Sequence, residues 1–175
     1  MLAIRRALDA VSGALLWLGG AAIVLMMVHI MLEVTLRTAF KLTIPGTEET
    51  VSAYYMIACA FLPLAWVQRS RAHVSVEVFT LWMPARALAA LDGLVCLACA
   101  AGTAIFAWAA TGKAIAMTRT GEILIGTMDV VVWPSRWFVP VGLVAMAAYM
   151  LLHAVADLHW AVYGGERRLG PSQGH

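Results

Sequence analysis

Cut at its charged residues, the chain falls into four long apolar stretches, 10–32, 50–68, 93–112 and 137–156. Short segments rich in charge, proline and glycine separate them. A helix crosses the hydrocarbon core of a bilayer with about 20 apolar residues, and each stretch is close to that length. None alternates apolar and polar residues as barrel strands do, and in lipid every backbone N–H and C=O must be satisfied internally. The pattern predicts an all-α membrane protein with four transmembrane helices in a single domain over 1–160, followed by a flexible cytoplasmic tail over 161–175.

The stretch from Ile44 to Glu77 orients the chain. A Pro45-Gly46 turn leads into Glu48 and Glu49, then the uncharged run, then Arg69, Arg71 and His73. Lys and Arg concentrate on cytoplasmic loops, which places the Arg69/Arg71 end inside and the Glu48/Glu49 end outside. Arg5 and Arg6 precede the first stretch, which is longer than a signal-peptide core and carries its small residues, Gly19 to Ala22, in the middle rather than at the end; an uncleaved first helix is expected. Arg5, Arg6, Arg69, Arg71, Arg86, Arg167 and Arg168 then fall inside, against Arg37, Lys41, Lys113, Arg119 and Arg136 outside. Both termini are predicted to be cytoplasmic.

Local signals refine the elements. Pro63 removes a backbone donor within the second span and predicts a kink. Residues 74–92 are too charged to span but rich in valine, Phe79 and Trp82, and are read as a short amphipathic helix in the inner interface, between spans two and three. The segment from Lys113 to Arg136 reads as an external loop that partly dips back toward the membrane. In the third span Ala98 and Gly102 form a small-xxx-small pair, suited to close packing within the bundle or against a partner. In the first span His29, Glu33 and Arg37 recur at i, i+4 and i+8 and so share one face, with Glu33 and Arg37 in the favourable order for an ion pair. Intramembrane ionisable residues are functional candidates. Here a plain anchoring role is preferred, because this face ends at the headgroups, where Arg37 reaches water.

Composition excludes several classes. The chain is 62% hydrophobic and 13% charged, with a mean hydropathy of +0.83, far above the roughly 45–50% apolar content of soluble domains. A net charge of +2 spread over short loops gives no nucleic-acid footprint. Cys59, Cys96 and Cys99 all lie inside apolar stretches and read as small buried hydrophobes; the Cys96/Cys99 pair lacks the ligand partners of a metal site. No phosphate loop, nucleophile elbow or paired-histidine zinc motif occurs, so neither enzymatic activity nor a cofactor is expected. A haem bridging His29 and His153 fails on depth: at 1.5 Å per residue they lie roughly 28 Å and about 5 Å from the inner side.

The run Arg37, Phe40, Ile44-Pro45, Glu48-Glu49, the apolar helix, then Arg69, Arg71, His73-Val74 and Val76 resembles the small membrane subunit of tripartite ATP-independent periplasmic (TRAP) transporters, the DctQ-like family. Trp133-Pro134 and Pro140-Val141-Gly142 agree with the pattern before and within that family's last helix. The resemblance covers most of the chain, about Arg5 to Leu152, through short motifs that are specific in combination. Two positions depart from it: Gly46 stands where the family often has an aromatic residue, and Pro63 where many members have small ones. The resemblance implies a scaffold subunit in the bacterial inner membrane. Its implied partners are a large membrane permease subunit that holds the substrate and cation sites, a periplasmic substrate-binding protein that delivers an organic acid, and membrane lipids. It also implies that Arg37, Glu49 and His73 are recurrent polar positions that keep helix ends in register.

The competing class is a membrane protein acting alone as a small carrier or channel. Autonomous transport calls for polar groups converging near mid-depth, whereas the ionisable residues here gather at helix ends. Packing against a partner is the favoured reading.

Overall fold

A computed structural model describes residues 2–69, 85–126 and 128–163. Four helices dominate it: α1 (Leu2–Phe40), α2 (Thr47–Arg69), α3 (Ala85–Thr120) and α4 (Phe138–Tyr163), the last entered through a 3-10 turn at Ser135–Trp137. All four are long and apolar enough to cross a membrane. His73, residues 74–84 of the expected amphipathic segment and most of the C-terminal tail lie outside the described residues, whereas residues 85–92 of that segment form the start of α3.

Each apolar stretch falls inside one helix, but the helices overrun the stretches. With 39 and 36 residues, α1 and α3 extend roughly 58 and 54 Å at 1.5 Å per residue, against a hydrocarbon core of about 30 Å. Charge ends the apolar stretch without ending the helix, because a helix leaving lipid keeps its internal hydrogen bonds. The expected loop over 113–136 is accordingly corrected: α3 continues to Thr120 and the turn begins at Gly121. Beyond it lies a small antiparallel hairpin of β1 (Ile123–Leu124) and β2 (Val130–Val131), with Ile123 opposite Val131.

The second helix is irregular in two places. Its entry turn places Gly46 at φ 86, and the turn Val51–Tyr55 is π-helical. At Pro63 the helix breaks: the Leu62 N–H still donates to Ala58 at 3.1 Å, and the ladder resumes with Trp66 and Val67 donating to the Pro63 carbonyl. Proline cannot donate, and its ring crowds the preceding turn. Two glycines from other helices receive this break. A Cβ on Gly19 of α1 would lie 2.9 Å from Pro63 Cγ, and a Cβ on Gly142 of α4 would collide with the Phe61 carbonyl.

The helices are unequally packed. Of each membrane-crossing window, 11% is buried in α1, 28% in α2, 17% in α3 and 44% in α4. On one side of α4, Ala145 and Tyr149 join Leu15 of α1 and Ala58, Leu62 and Ala65 of α2 in one cluster. On its other side runs α3, whose Gly93, Ala100, Ala107 and Ala114 are buried at seven-residue intervals. A heptad repeat of this kind keeps one stripe of a helix facing its neighbour. Small residues there let backbones approach: a Cβ on Gly93 would meet Leu158 at 2.8 Å. Thr103 and Thr118 of α3 meet Met150 and Trp137, with Thr103 Oγ1 3.7 Å from Met150 Sδ and the Trp137 indole N–H donating to Thr118 Oγ1 at 3.1 Å. Within the chain, then, the seam does not run through the expected pair. Ala98 is exposed, and a Cβ on Gly102 would meet nothing within 4 Å.

Candidate functional site

Two polar clusters tie the apolar helices together, one at each end. At the end where α1 begins and α4 finishes, Asp9 is the centre. Its Oδ1 pairs with Arg69 Nε of α2 at 3.0 Å and accepts a hydrogen bond from the Tyr149 hydroxyl of α4 at 2.8 Å. Ser12, fully buried one turn along α1, lies 3.0 Å from that hydroxyl and donates to the Asp9 carbonyl at 3.1 Å. The Arg69 guanidinium also stacks 4.6 Å from the centroid of the Trp66 ring. Three helices thus converge on one carboxylate, and the bonds to it are of the charge-assisted kind, about twice as strong as neutral ones. Gln68, His153 and Asp157 are buried in the same region, with the His153 ring 6.4 Å from that of Tyr149.

At the other end the hairpin folds over the entry to α2. The Tyr54 hydroxyl donates to the Val131 carbonyl. Gly46 packs under Met128 and Val130, and the Glu49 carboxylate lies against Gly126, where a Cβ would collide with it. The hairpin is held to the 3-10 turn before α4 by Arg136, whose Nε and Nη2 donate to the two carboxylate oxygens of Glu122 at 3.0 and 2.8 Å. That two-point contact holds the Glu122 carboxyl below the ordinary carboxylate range; partial desolvation opposes it, and the charges of Arg136 and Lys113 add to it. His29 approaches this cluster from α1, with Nε2 3.4 Å from Thr47 Oγ1 and its ring edge-on to Tyr55 at 6.0 Å. His29 and His153 therefore belong to opposite ends of the molecule, which removes the geometry for a shared haem.

The expected site residues are scattered among these features. Pro140 and Gly142 are buried in α4, Glu49 is half-buried under the hairpin, and Glu48 is exposed. Arg37 is exposed, and no ion pair joins it to Glu33 among the described residues, contrary to the expected pairing. Near an interface an exposed pair contributes little beyond the entropy of holding two long side chains. Ala98 and Gly102 face away from the chain's own seam.

The family profile described as tripartite ATP-independent periplasmic transporters, DctQ component, matches residues 26–159. The chain belongs to this family. It is the small membrane component of a TRAP transporter, a multi-pass membrane protein and a transporter component rather than an enzyme. No match was found among curated proteins or among solved structures.

The matched region contains the α2–α4 half of the terminal junction, but Asp9 and Ser12 precede it. Neither residue stood out in the sequence, because Asp9 served only to end an apolar stretch. A usable signal was present. Tyr149, His153 and Asp157 recur at i, i+4 and i+8 in the least charged helix of the chain, the same spacing that drew attention to His29, Glu33 and Arg37.

Proposed function

We propose that the chain is the static small subunit of a TRAP-type importer of organic acids. In this reading it lies in the bacterial inner membrane with both termini cytoplasmic, beside a large permease subunit and served by a periplasmic substrate-binding protein. Its four helices form one transmembrane domain. The cluster at Asp9 then faces the cytoplasm and the hairpin faces the periplasm. Family membership supports the assignment, and one observation carries the scaffold role: α4 is the most buried of the four helices, while α1 and α3, the two helices that most overrun the bilayer, present most of their surface outward. Lipid tails are as apolar as leucine, so such surfaces join a partner through close packing and polar contacts at helix ends. Arg37, Glu48 and His73 are the polar contacts proposed for that purpose, Glu49 is proposed to keep the entry to α2 in register under the hairpin, and the unused Ala98/Gly102 face is the proposed packing surface. The mid-membrane stretches of the two outward helices, 10–32 and 93–112, carry no Asp, Glu, Lys or Arg, which suits a stationary frame against which the large subunit moves.

The test is uptake into liposomes containing this chain, the large subunit, or both, each with the binding protein and an inward cation gradient. Uptake is expected to require the large subunit and to be strongest with both. Saturable uptake by this chain alone would overturn the scaffold role and favour an autonomous carrier. Topology is checked with reporter fusions after Glu48 and in the tail, expected to register periplasm and cytoplasm respectively.

A further inference from the structure

Between α3 and α4 an open groove of about 600 Å³ is lined by Ala104, Trp108, Gly112 and Ile115 on one wall and by Val144 and Leu151 on the other, over a floor of Ala107 and Ala147. Its one hydroxyl, on Thr111, is already donated to the Ala107 carbonyl at 2.7 Å, so the groove offers no polar partner to an occupant. It exists because the alanine seam brings the two backbones together while small residues at 104 and 112 leave the outer rim unfilled. Trp108 stands as a wall, 83% exposed.

Three features select the occupant. First, the lining from Ala104 to Ile115 rises roughly 16 Å along α3 at 1.5 Å per residue, about half of a 30 Å hydrocarbon core and hence the depth of one leaflet. Second, the helical stripe 104, 108, 112, 115 continues at 119, one turn nearer the hairpin end. Arg119 occupies that position, is exposed, and pairs with no acid among the described residues. Third, of the other basic residues near the groove, Arg136 is committed to Glu122 and Lys113 falls off the 104, 108, 112, 115 stripe of α3, so Arg119 is the cation aligned with the groove. We infer that the α3–α4 groove holds one acyl chain of a phospholipid of the hairpin-side leaflet, with the lipid phosphate on Arg119.

The inference is tested on the full-length chain together with the subunits that copurify with it, in nanodiscs containing phosphatidylglycerol with a photoactivatable acyl chain. A parallel sample carries diacylglycerol with the same chain. Labelled peptides are mapped by mass spectrometry. Phosphatidylglycerol is expected to label the groove well above the exposed face of α1 around Trp17 and Leu25. Gly112→Leu should abolish the excess: a Cβ there meets nothing within 4 Å, so the side chain starts into open groove space, and an unchanged thermal midpoint of the variant checks that it folds. Arg119→Gln should lower phosphatidylglycerol labelling about fivefold, as expected for one basic residue at an anionic interface, and leave diacylglycerol labelling unchanged. Equal labelling of groove and α1 would show bulk lipid only, and indifference to Gly112→Leu would show that the groove is not the site. Indifference to Arg119→Gln would remove the phosphate contact. Labelling of the isolated chain that disappears in the complex would assign the groove to a partner helix instead. Each of these outcomes overturns the inference.

Discussion

Helices α1 and α4 carry the same polar spacing with opposite fates. His29, Glu33 and Arg37 lie at i, i+4 and i+8 near the end of α1, and Tyr149, His153 and Asp157 repeat that spacing near the end of α4. On α1 the stripe is half-buried at His29 and Glu33 and exposed at Arg37. On α4 all three residues are buried. The difference comes from neighbours. Where α2 and α1 flank α4, a polar face is enclosed and each group must find a partner, because an unmet polar group in low dielectric costs several kcal/mol. On α1 the stripe touches α2 at His29, through Thr47 and Tyr55, and farther along the helix the charge of Arg37 reaches the membrane surface. Spacing tells which residues share a face; it does not tell whether the face is covered.

The largest expected effect breaks the enclosed side of this comparison. Gly142→Leu puts a side chain into the Phe61 carbonyl at the Pro63 break, and overpacking of this kind costs about 1–3 kcal/mol, occasionally more. The yield of monodisperse protein in mild detergent should collapse. Gly102→Leu, placed where a Cβ meets nothing within 4 Å, should leave yield and thermal midpoint unchanged. If both variants behave alike, α4 is not the packed centre of the chain.

Next in size is Tyr149→Phe, which keeps the ring and removes the hydroxyl shared by Asp9 and Ser12. Ser12 is buried but Asp9 is 34% exposed, so the loss should fall at the lower end of the about 1–3 kcal/mol that an unmet buried partner costs, and the thermal midpoint should fall measurably. Arg69→Gln should cost less, below about 1 kcal/mol, because both members of its pair with Asp9 are more than a third exposed or nearly so. A larger loss from Arg69→Gln than from Tyr149→Phe would mean that the junction is held chiefly by its ion pair.

The opposite end supplies a smaller, pH-dependent effect. Glu122 titrates below the ordinary carboxylate range in the folded chain because Arg136 bonds its charged form. Its contribution is therefore fully present above the unfolded carboxylate pKa and is lost as pH falls through the depressed folded value. With both side chains partly exposed, the loss should stay under about 1 kcal/mol. Hydrogen-exchange protection over 121–134, corrected for the intrinsic pH dependence of amide exchange, should fall on acidification in the wild type, and Glu122→Gln should be poorly protected already at neutral pH. Unchanged exchange in both would show that the hairpin is held by Tyr54 and Glu49 alone.

These contrasts also mark what the sequence could reveal. The four spans and the Pro63 break were legible because desolvation and a missing N–H act locally. Helix ends were not, since Lys113 and Arg119 terminate an apolar stretch without terminating α3. The hairpin was missed although Ile123 to Ile125 and Val130 to Val132 flank Gly126 and Asp129, a β-branched and turn pattern read only as apolar clusters. The seam between α3 and α4 was not legible for a different reason. Alanine is so frequent along α3 that small-residue spacings fit several faces, and only the position of α4 selects Gly93, Ala100, Ala107 and Ala114. The terminal junction was hidden because it joins Asp9 to residues 60 and 140 positions away.

The smallest expected effect on the chain itself is the sharpest test of the exposed side. Glu33→Gln and Arg37→Ala remove charges that form no ion pair with each other and lie at or near the surface of α1. Surface substitutions of this kind usually change stability by no more than about 0.5 kcal/mol, so the isolated chain in detergent should melt within that margin of the wild type. If the outward stripe meets a large permease subunit, the same substitutions act on a different reference state. A charge that is wet in the isolated chain is desolvated in the complex, and removing one partner of a buried charged contact can cost about 3–5 kcal/mol. Recovery of the complex on an affinity tag should therefore fall sharply while the free chain is unaffected. A fall in both would place the stripe inside the fold of this chain. No fall in either would leave α1 facing lipid along this stripe and shift the search for the interface to the Ala98 and Gly102 face of α3.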